Sequence, residues 1–258
     1  MALSARSIVA STLLGTTPPR LPSRLLVAFA EEFGVAPGTT RVALSRMVER
    51  GELIRDDDGT VALSGELLDR QGRQEEGLAP HVRPWTGDWE MYLVRDGGRE
   101  SSERAALRRA ATHLGLREHR EGVWLRPDNL DPERQRTARE VVDAQCDRFA
   151  AAPADPDPVG LAASLFELAD WAAEAERCRA RMTTMAATLE FGRPGALADG
   201  FETAAHSLRH LVSDPRLPDE LCPAGWPAPA LRRDYHDYNE RYRQHLSAFF
   251  RSRSRLAG

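Results

Sequence analysis

The stretch GTTRVALSRMVERGELIRDDDGTVALS, residues 38–64, decides the reading of the N-terminal part of the chain. Its first half has helical spacing. On a helical wheel Thr40, Ala43, Leu44, Met47 and Val48 share one side. Thr39, Val42, Ser45 and Arg46 share the other, with Arg41 at its edge. Gly51 ends the helix. Upstream, PSRLLVAFAEEFG (22–34) reads as a helix with Ser23 as N-cap and Gly34 at its C-terminal end. VAPG is a short turn, and Pro37 takes the first position of the following helix, which suits a residue without an N–H. Downstream, ELIR and TVALS alternate and flank DDDG, a hairpin-turn signal. Helix, turn, helix and hairpin in this order predict a winged helix-turn-helix.

Such a motif buries one stripe of its second helix and offers the other to the major groove. The outward residues suit that task. Arg46 matches guanine or phosphate, Thr39 and Ser45 carry hydroxyls, and Val42 matches a thymine methyl. The same spacing also describes an ordinary amphipathic helix with a solvated polar face, and periodicity alone leaves both readings open. The hairpin tip, Asp56 to Asp58, has the wrong charge for a phosphate backbone. It reads as a solvated turn that stays off the DNA.

Bulk properties set the frame. The chain has 258 residues and a net charge of −4, so any nucleic-acid contact must come from a local face. All 35 basic side chains are arginines. Without lysine there is no Walker A lysine, no Schiff-base lysine and no kinase-type lysine. Cys146, Cys178 and Cys222 are too far apart for a paired metal or redox motif, and they predict free thiols in a reducing cytoplasm. No apolar run reaches membrane-spanning length. MALSARSIVASTLLG reads as a first helix rather than a signal peptide.

Three blocks follow. Residues 1–80 hold the short helices and the hairpin, and residues 73–84 form a connector. Residues 85–155 alternate: WEMYLV (89–94) as a strand, SERAALRRAATHLG (102–115) as a helix, VWLRP (123–127) as a strand and DPERQRTAREVVDAQ (131–145) as a helix. That alternation predicts a small α/β sandwich. AAPADPDP (151–158) is a proline-rich linker. Residues 159–258 are helical, with Leu161, Leu165, Leu168 and Trp171 at helical spacing.

Three segments resemble the PaaX-like transcriptional regulators, the phenylacetic acid degradation repressor family. They are SARSIVASTLLG with FGVAPGTTRVALSRMVERGEL, the junction WTGDW (85–89), and DPRLPDELCPAGWP (214–227), which is similar to the family pattern DPxLPxxLxPxxWP. The resemblance implies an α+β multidomain chain. Its parts are a winged helix-turn-helix, a ferredoxin-like α/β middle domain for dimerisation and signal relay, and an all-α C-terminal domain. It implies a cytoplasmic homodimeric repressor on double-stranded operator DNA, not an enzyme and without cofactor or membrane contact. Release would follow binding of a small-molecule effector, phenylacetyl-CoA in the founding type or another acyl-CoA. The DNA-reading role carries over onto Thr39, Arg41, Val42, Ser45 and Arg46. One departure is Ala36, where the family often has a Ser or Thr cap, a loss worth about 1 kcal/mol.

An acyl-CoA needs basic groups for its phosphates and an apolar slot. Arg177, Arg179 and Arg181 are candidates for the charge, and Trp171, Trp226 and Tyr235 for packing. His206 and His210 stand at i, i+4, but HSLRH is not HExxH, and no metal site is expected. His236, in RDYHDY, reads as a surface hydrogen-bonder. Two rivals remain. One is a metal-dependent nuclease using Asp96, which follows a predicted strand; a lone carboxylate in a turn is weak support. The other is a protein-interaction module whose winged helix does not bind DNA.

Overall fold

The computed structural model describes residues 3–95, 97, 100–151, 157–190 and 195–255. The chain is α+β with a helical C-terminal region. It divides into two compact units. The first takes residues 1–78, 175–212 and 229–258, the second 79–174 and 213–228.

The first unit opens with α1 (Ala5–Leu14), whose Ser4 hydroxyl accepts from the Ser7 amide as an N-cap. Strand β1 (Arg20–Pro22) leads into α2 (Ser23–Glu31). Ser23 is the first helical residue rather than the cap, and its hydroxyl donates to the Gly59 carbonyl at 2.7 Å, tying α2 to the hairpin. A turn through Gly34 leads to α3 (Pro37–Glu49). Strands β2 (Leu53–Arg55) and β3 (Thr60–Leu63) follow, then α4 (Glu66–Leu78). The three strands form an antiparallel sheet in the order β1-β3-β2, with Ile54 opposite Ala62 and Leu21 opposite Val61. Leu13, Leu26, Leu44, Met47, Leu53 and Val61 fuse the helices and the hairpin into one apolar core. Gly51 and Gly65 meet behind the hairpin. Both have positive φ, and a Cβ on Gly65 would lie 2.9 Å from the Gly51 carbonyl oxygen.

The second unit carries a β-α-β-β-α-β run: β4 (Trp89–Val94), α5 (Ser101–His113), β5 (Arg117–Arg120), β6 (Val123–Pro127), α6 (Arg136–Gln145) and β7 (Cys146–Ala151). The sheet order is β5-β6-β4-β7 and every pairing is antiparallel. Helix α6 starts at Arg136, after Gln135 in the left-handed region, so residues 131–135 lie ahead of the helix. Tyr92, Leu107, Leu114, Leu116 and Val142 form the core under α5 and α6. A second core gathers two distant segments. Trp85 and Trp89 of WTGDW pack with Leu217, Leu221 and Trp226 of DPRLPDELCPAGWP, and with Leu161 and Phe166 of α7 (Pro158–Phe166).

A buried arginine pins this junction. Arg126 is fully buried and donates to the carbonyls of Leu114 and Pro127 and to Asn129 Oδ1. Asn129 Nδ2 donates to the Arg216 carbonyl at 2.9 Å, and Arg216 Nη2 to the His113 carbonyl at 3.0 Å. Burial, then the Arg216 charge, push the Arg126 guanidinium down to about 9.

The remaining helices are α8 (Leu168–Glu190), α9 (Ala196–Val212) and α10 (Ala228–Arg255). None of the described helices is long and apolar enough to cross a membrane.

Candidate nucleic-acid interface

Helix α3 divides as its spacing predicts. Thr40, Leu44 and Met47 are at most 1% exposed, and Ala43 and Val48 are half-buried. Thr39, Arg41, Val42, Ser45 and Arg46 are all exposed, Val42 to 51%. None of these five side chains bonds to another described residue. A charged and hydroxyl-bearing face is therefore held rigid and left unspent. The helix starts at Pro37, without a side-chain cap from Ala36. Thr39 and Thr40 both donate their amides to the Ala36 carbonyl, which leaves the Gly38 amide open at the positive end of the helix.

The hairpin resolves the question of its acidic tip. Asp58 Oδ1 accepts from the Thr60 amide at 2.9 Å, the side-chain-to-backbone bond that builds such a turn. That bond, first from the Thr60 backbone, holds the Asp58 carboxyl below its usual range. Asp56 pairs with Arg20 of β1 at 2.8 Å. Only Asp57 of the three lacks a partner among the described residues. The charges close the turn and tie it to β1. Beside it, β2 presents Ile54, 57% exposed, and the exposed Arg55.

The effector candidates fall in both units. Trp171 and Trp226 stack at 4.7 Å in the second unit, and Trp171 Nε1 donates to Ser213 Oγ. In the first unit, Arg179 pairs with Asp234 and Glu176, and Arg181 Nε reaches Thr203 Oγ1 at 3.2 Å. Arg177 is exposed. Tyr235 is buried and lines a cavity of about 320 Å³ bounded by α1, α4, α9 and α10. Four arginines missed in the sequence also line it: Arg70, Arg73, Arg209 and Arg243. Burial and neighbouring carboxylates push the Cys222 thiol up to about 12, which keeps it protonated. On α9, His206 has Cys178 of α8 near it, their ligand atoms within 4.8 Å. Asp96, the nuclease candidate, lies outside the described residues.

Comparison with known proteins gives this α+β chain with its helical C-terminal region a family, one that suggests a transcriptional regulator. The family model described as PaaX-like protein matches residues 4–70, and that described as PaaX-like protein C-terminal domain matches residues 168–252. The chain belongs to the PaaX-like family. A solved structure, the uncharacterized protein Rv0674 from Mycobacterium tuberculosis, is 38% identical, covers 95% of this chain and 98% of its own, and superposes with a TM-score of 0.71. No curated protein matches.

Proposed function

We propose that the chain is a DNA-binding transcriptional repressor that reads its operator with α3 and is released by a small-molecule effector. In this reading residues 1–80 are a winged helix-turn-helix, 85–155 a ferredoxin-like dimerisation and relay domain, and 159–258 a helical effector-responsive domain. The observation that carries it is the α3 face. Thr39, Arg41, Val42, Ser45 and Arg46 stand exposed and unpaired among the described residues, on a helix whose opposite side is locked into the core. Arg46 and Arg41 supply guanidinium forks for guanine or phosphate, and the open Gly38 amide supplies a phosphate donor at the helix N-terminus. The β-α-β-β-α-β order and the antiparallel sheet support the ferredoxin-like assignment. A cytoplasmic homodimer would set two copies of α3 into half-sites about 34–36 Å apart.

The hairpin aspartates have roles within the fold, Asp58 closing the turn and Asp56 pairing with Arg20, so the acidic tip is not by itself support for the rival reading of a non-DNA-binding interaction module. The test is fluorescence anisotropy on DNA from upstream of the chain's own gene, against scrambled DNA, at two salt concentrations. Specific binding that weakens with salt is expected. Equal affinity for both DNAs would move the interaction module to first place.

A further inference from the structure

The cavity of the first unit has an unbalanced lining. Arg70 and Arg73 enter from α4, Arg209 from α9 and Arg243 from α10, and among the described residues no aspartate or glutamate lines it. Arg243 donates to Thr17 Oγ1 at 2.9 Å. The other three bond to no described residue. Burial, with the like charges of Arg209, Arg73 and Arg6 beside it, holds the Arg70 guanidinium below its usual range. Arg6 is matched by Glu52, at 2.9 Å; among the described residues no carboxylate pairs with the cavity arginines. Tyr235 adds a donor. It is 4% exposed, it lines the cavity, and its hydroxyl has no partner among the described residues. Arg70 and Arg73 are half-buried and Arg209 is exposed, so the donors of this cationic lining are open to an incoming anion.

Part of the lining is apolar: Phe201 and Leu246, both buried, and Leu208. Phe201 and Arg209 are eight residues apart on α9, about 12 Å along the axis. Along α9 the lining therefore runs from the Phe201 ring to the Arg209 charge, and on α10 Leu246 stands one turn from Arg243. The volume of about 320 Å³ lies at the small end of ligand pockets, which run from about 300 to 1,000 Å³.

We propose that this cavity binds an amphipathic anion, an oxyanion head held by Arg70, Arg73 and Arg209 with an apolar body of about ten to fifteen non-hydrogen atoms lying toward Phe201 and Leu246. Tyr235 donates to the head or to the first polar atom of the body. A carboxylate and a phosphate monoester share this chemistry, and the arms of the test separate them.

The experiment is isothermal titration of the full chain, without DNA, with decanoate, decyl phosphate, decanol and decyltrimethylammonium. Its outcome is thereby independent of whether α3 reads DNA. At least one of the two anions binds at one site per chain and raises the melting temperature, while the alcohol and the cation do not. The preferred anion identifies the head. The double variant R70Q/R209Q weakens that binding at least tenfold, with a melting temperature at or above that of the parent because it relieves like-charge repulsion. Tyr235→Phe, a change of one hydroxyl, weakens it severalfold and serves if the double variant does not fold. Absence of anion binding, binding of decanol as tight as that of the anion, or undiminished affinity in both variants would overturn the proposal.

Discussion

Truncating Arg46 to alanine isolates the proposed DNA-reading role from stability. The side chain is exposed and bonds to no described residue, so its loss should change unfolding free energy by no more than about 0.5 kcal/mol. Its loss at the interface is larger. A bidentate arginine–guanine pair discriminates by about 1–3 kcal/mol. A dimer carries two copies of α3, so specific affinity falls by about 2–6 kcal/mol. At about 1.4 kcal/mol per decade that is roughly 30-fold to 10⁴-fold. If Arg46 holds only phosphate, the outcome differs in kind. Binding to specific and scrambled DNA weakens alike, and the salt slope drops by about 1 for each phosphate no longer neutralised. Anisotropy at several salt concentrations, paired with thermal unfolding of the same preparation, reads both quantities. A folded R46A dimer with the parent's operator affinity and salt slope would refute the assignment of α3 as the reading helix.

Two further substitutions probe what holds the parts in place. Phe29→Ala, at a fully buried ring packed edge-on with Phe33, Phe201, Phe249 and Phe250, should cost about 3–5 kcal/mol in urea unfolding. Gly115→Ala sets a Cβ 2.6 Å from Arg126 Nη1 at a positive φ, so it should destabilise by more than about 1 kcal/mol and displace the buried guanidinium. Unchanged thermal unfolding of G115A would remove Arg126 as the pin of the second unit.

The legible parts of the fold are those whose signal is local. Helix α3 declares itself through a 3.6-residue burial pattern, Pro37 at its start and Gly51 past its end, and the hairpin through alternation around DDDG. Strand β1, with three residues, and β5, reading REHR with three of its four residues exposed, carry no alternation. They are strands because β3 and β6 offer them paired edges, a tertiary decision. β7 follows α6 without a break at Cys146, so no turn residue marks the change. The segments WTGDW and DPRLPDELCPAGWP stand far apart in the chain, yet they close one core, and nothing in either announces the other. The cavity was illegible for the same reason. Arg70 with Arg73 on α4 and Arg209 on α9 read as separate helix charges, and only the packing of the helices brings them to one cavity. Of the aromatic candidates, only Tyr235 lines it.

The proposed DNA face and the proposed cavity share supporting helices, which bounds how one site can act on the other. Helix α1 lines the cavity and packs against α3. Helix α2, also packed on α3, is held to α9 and α10 through Phe29, whose ring lies 5.7 Å from Phe201 and 5.9 Å from Phe250. An anion between α1, α4, α9 and α10 thus lies against the elements that orient α3. Proximity does not make coupling; a ligand shifts DNA affinity only by its differential affinity for the two arrangements. A hundredfold loss of operator affinity requires about 2.7 kcal/mol of such difference, or about 1.4 kcal/mol from each of two cavities in a dimer. Linkage makes this testable from both sides. If the bound anion loosens the operator by a given factor, saturating operator must weaken the anion by the same overall factor. Titrating decanoate or decyl phosphate with and without operator measures the second factor, and anisotropy with and without the anion measures the first. Equal factors would join the cavity to the DNA face. A loss of operator affinity with no matching loss of anion affinity would mean that the anion acts on DNA binding from somewhere other than this cavity.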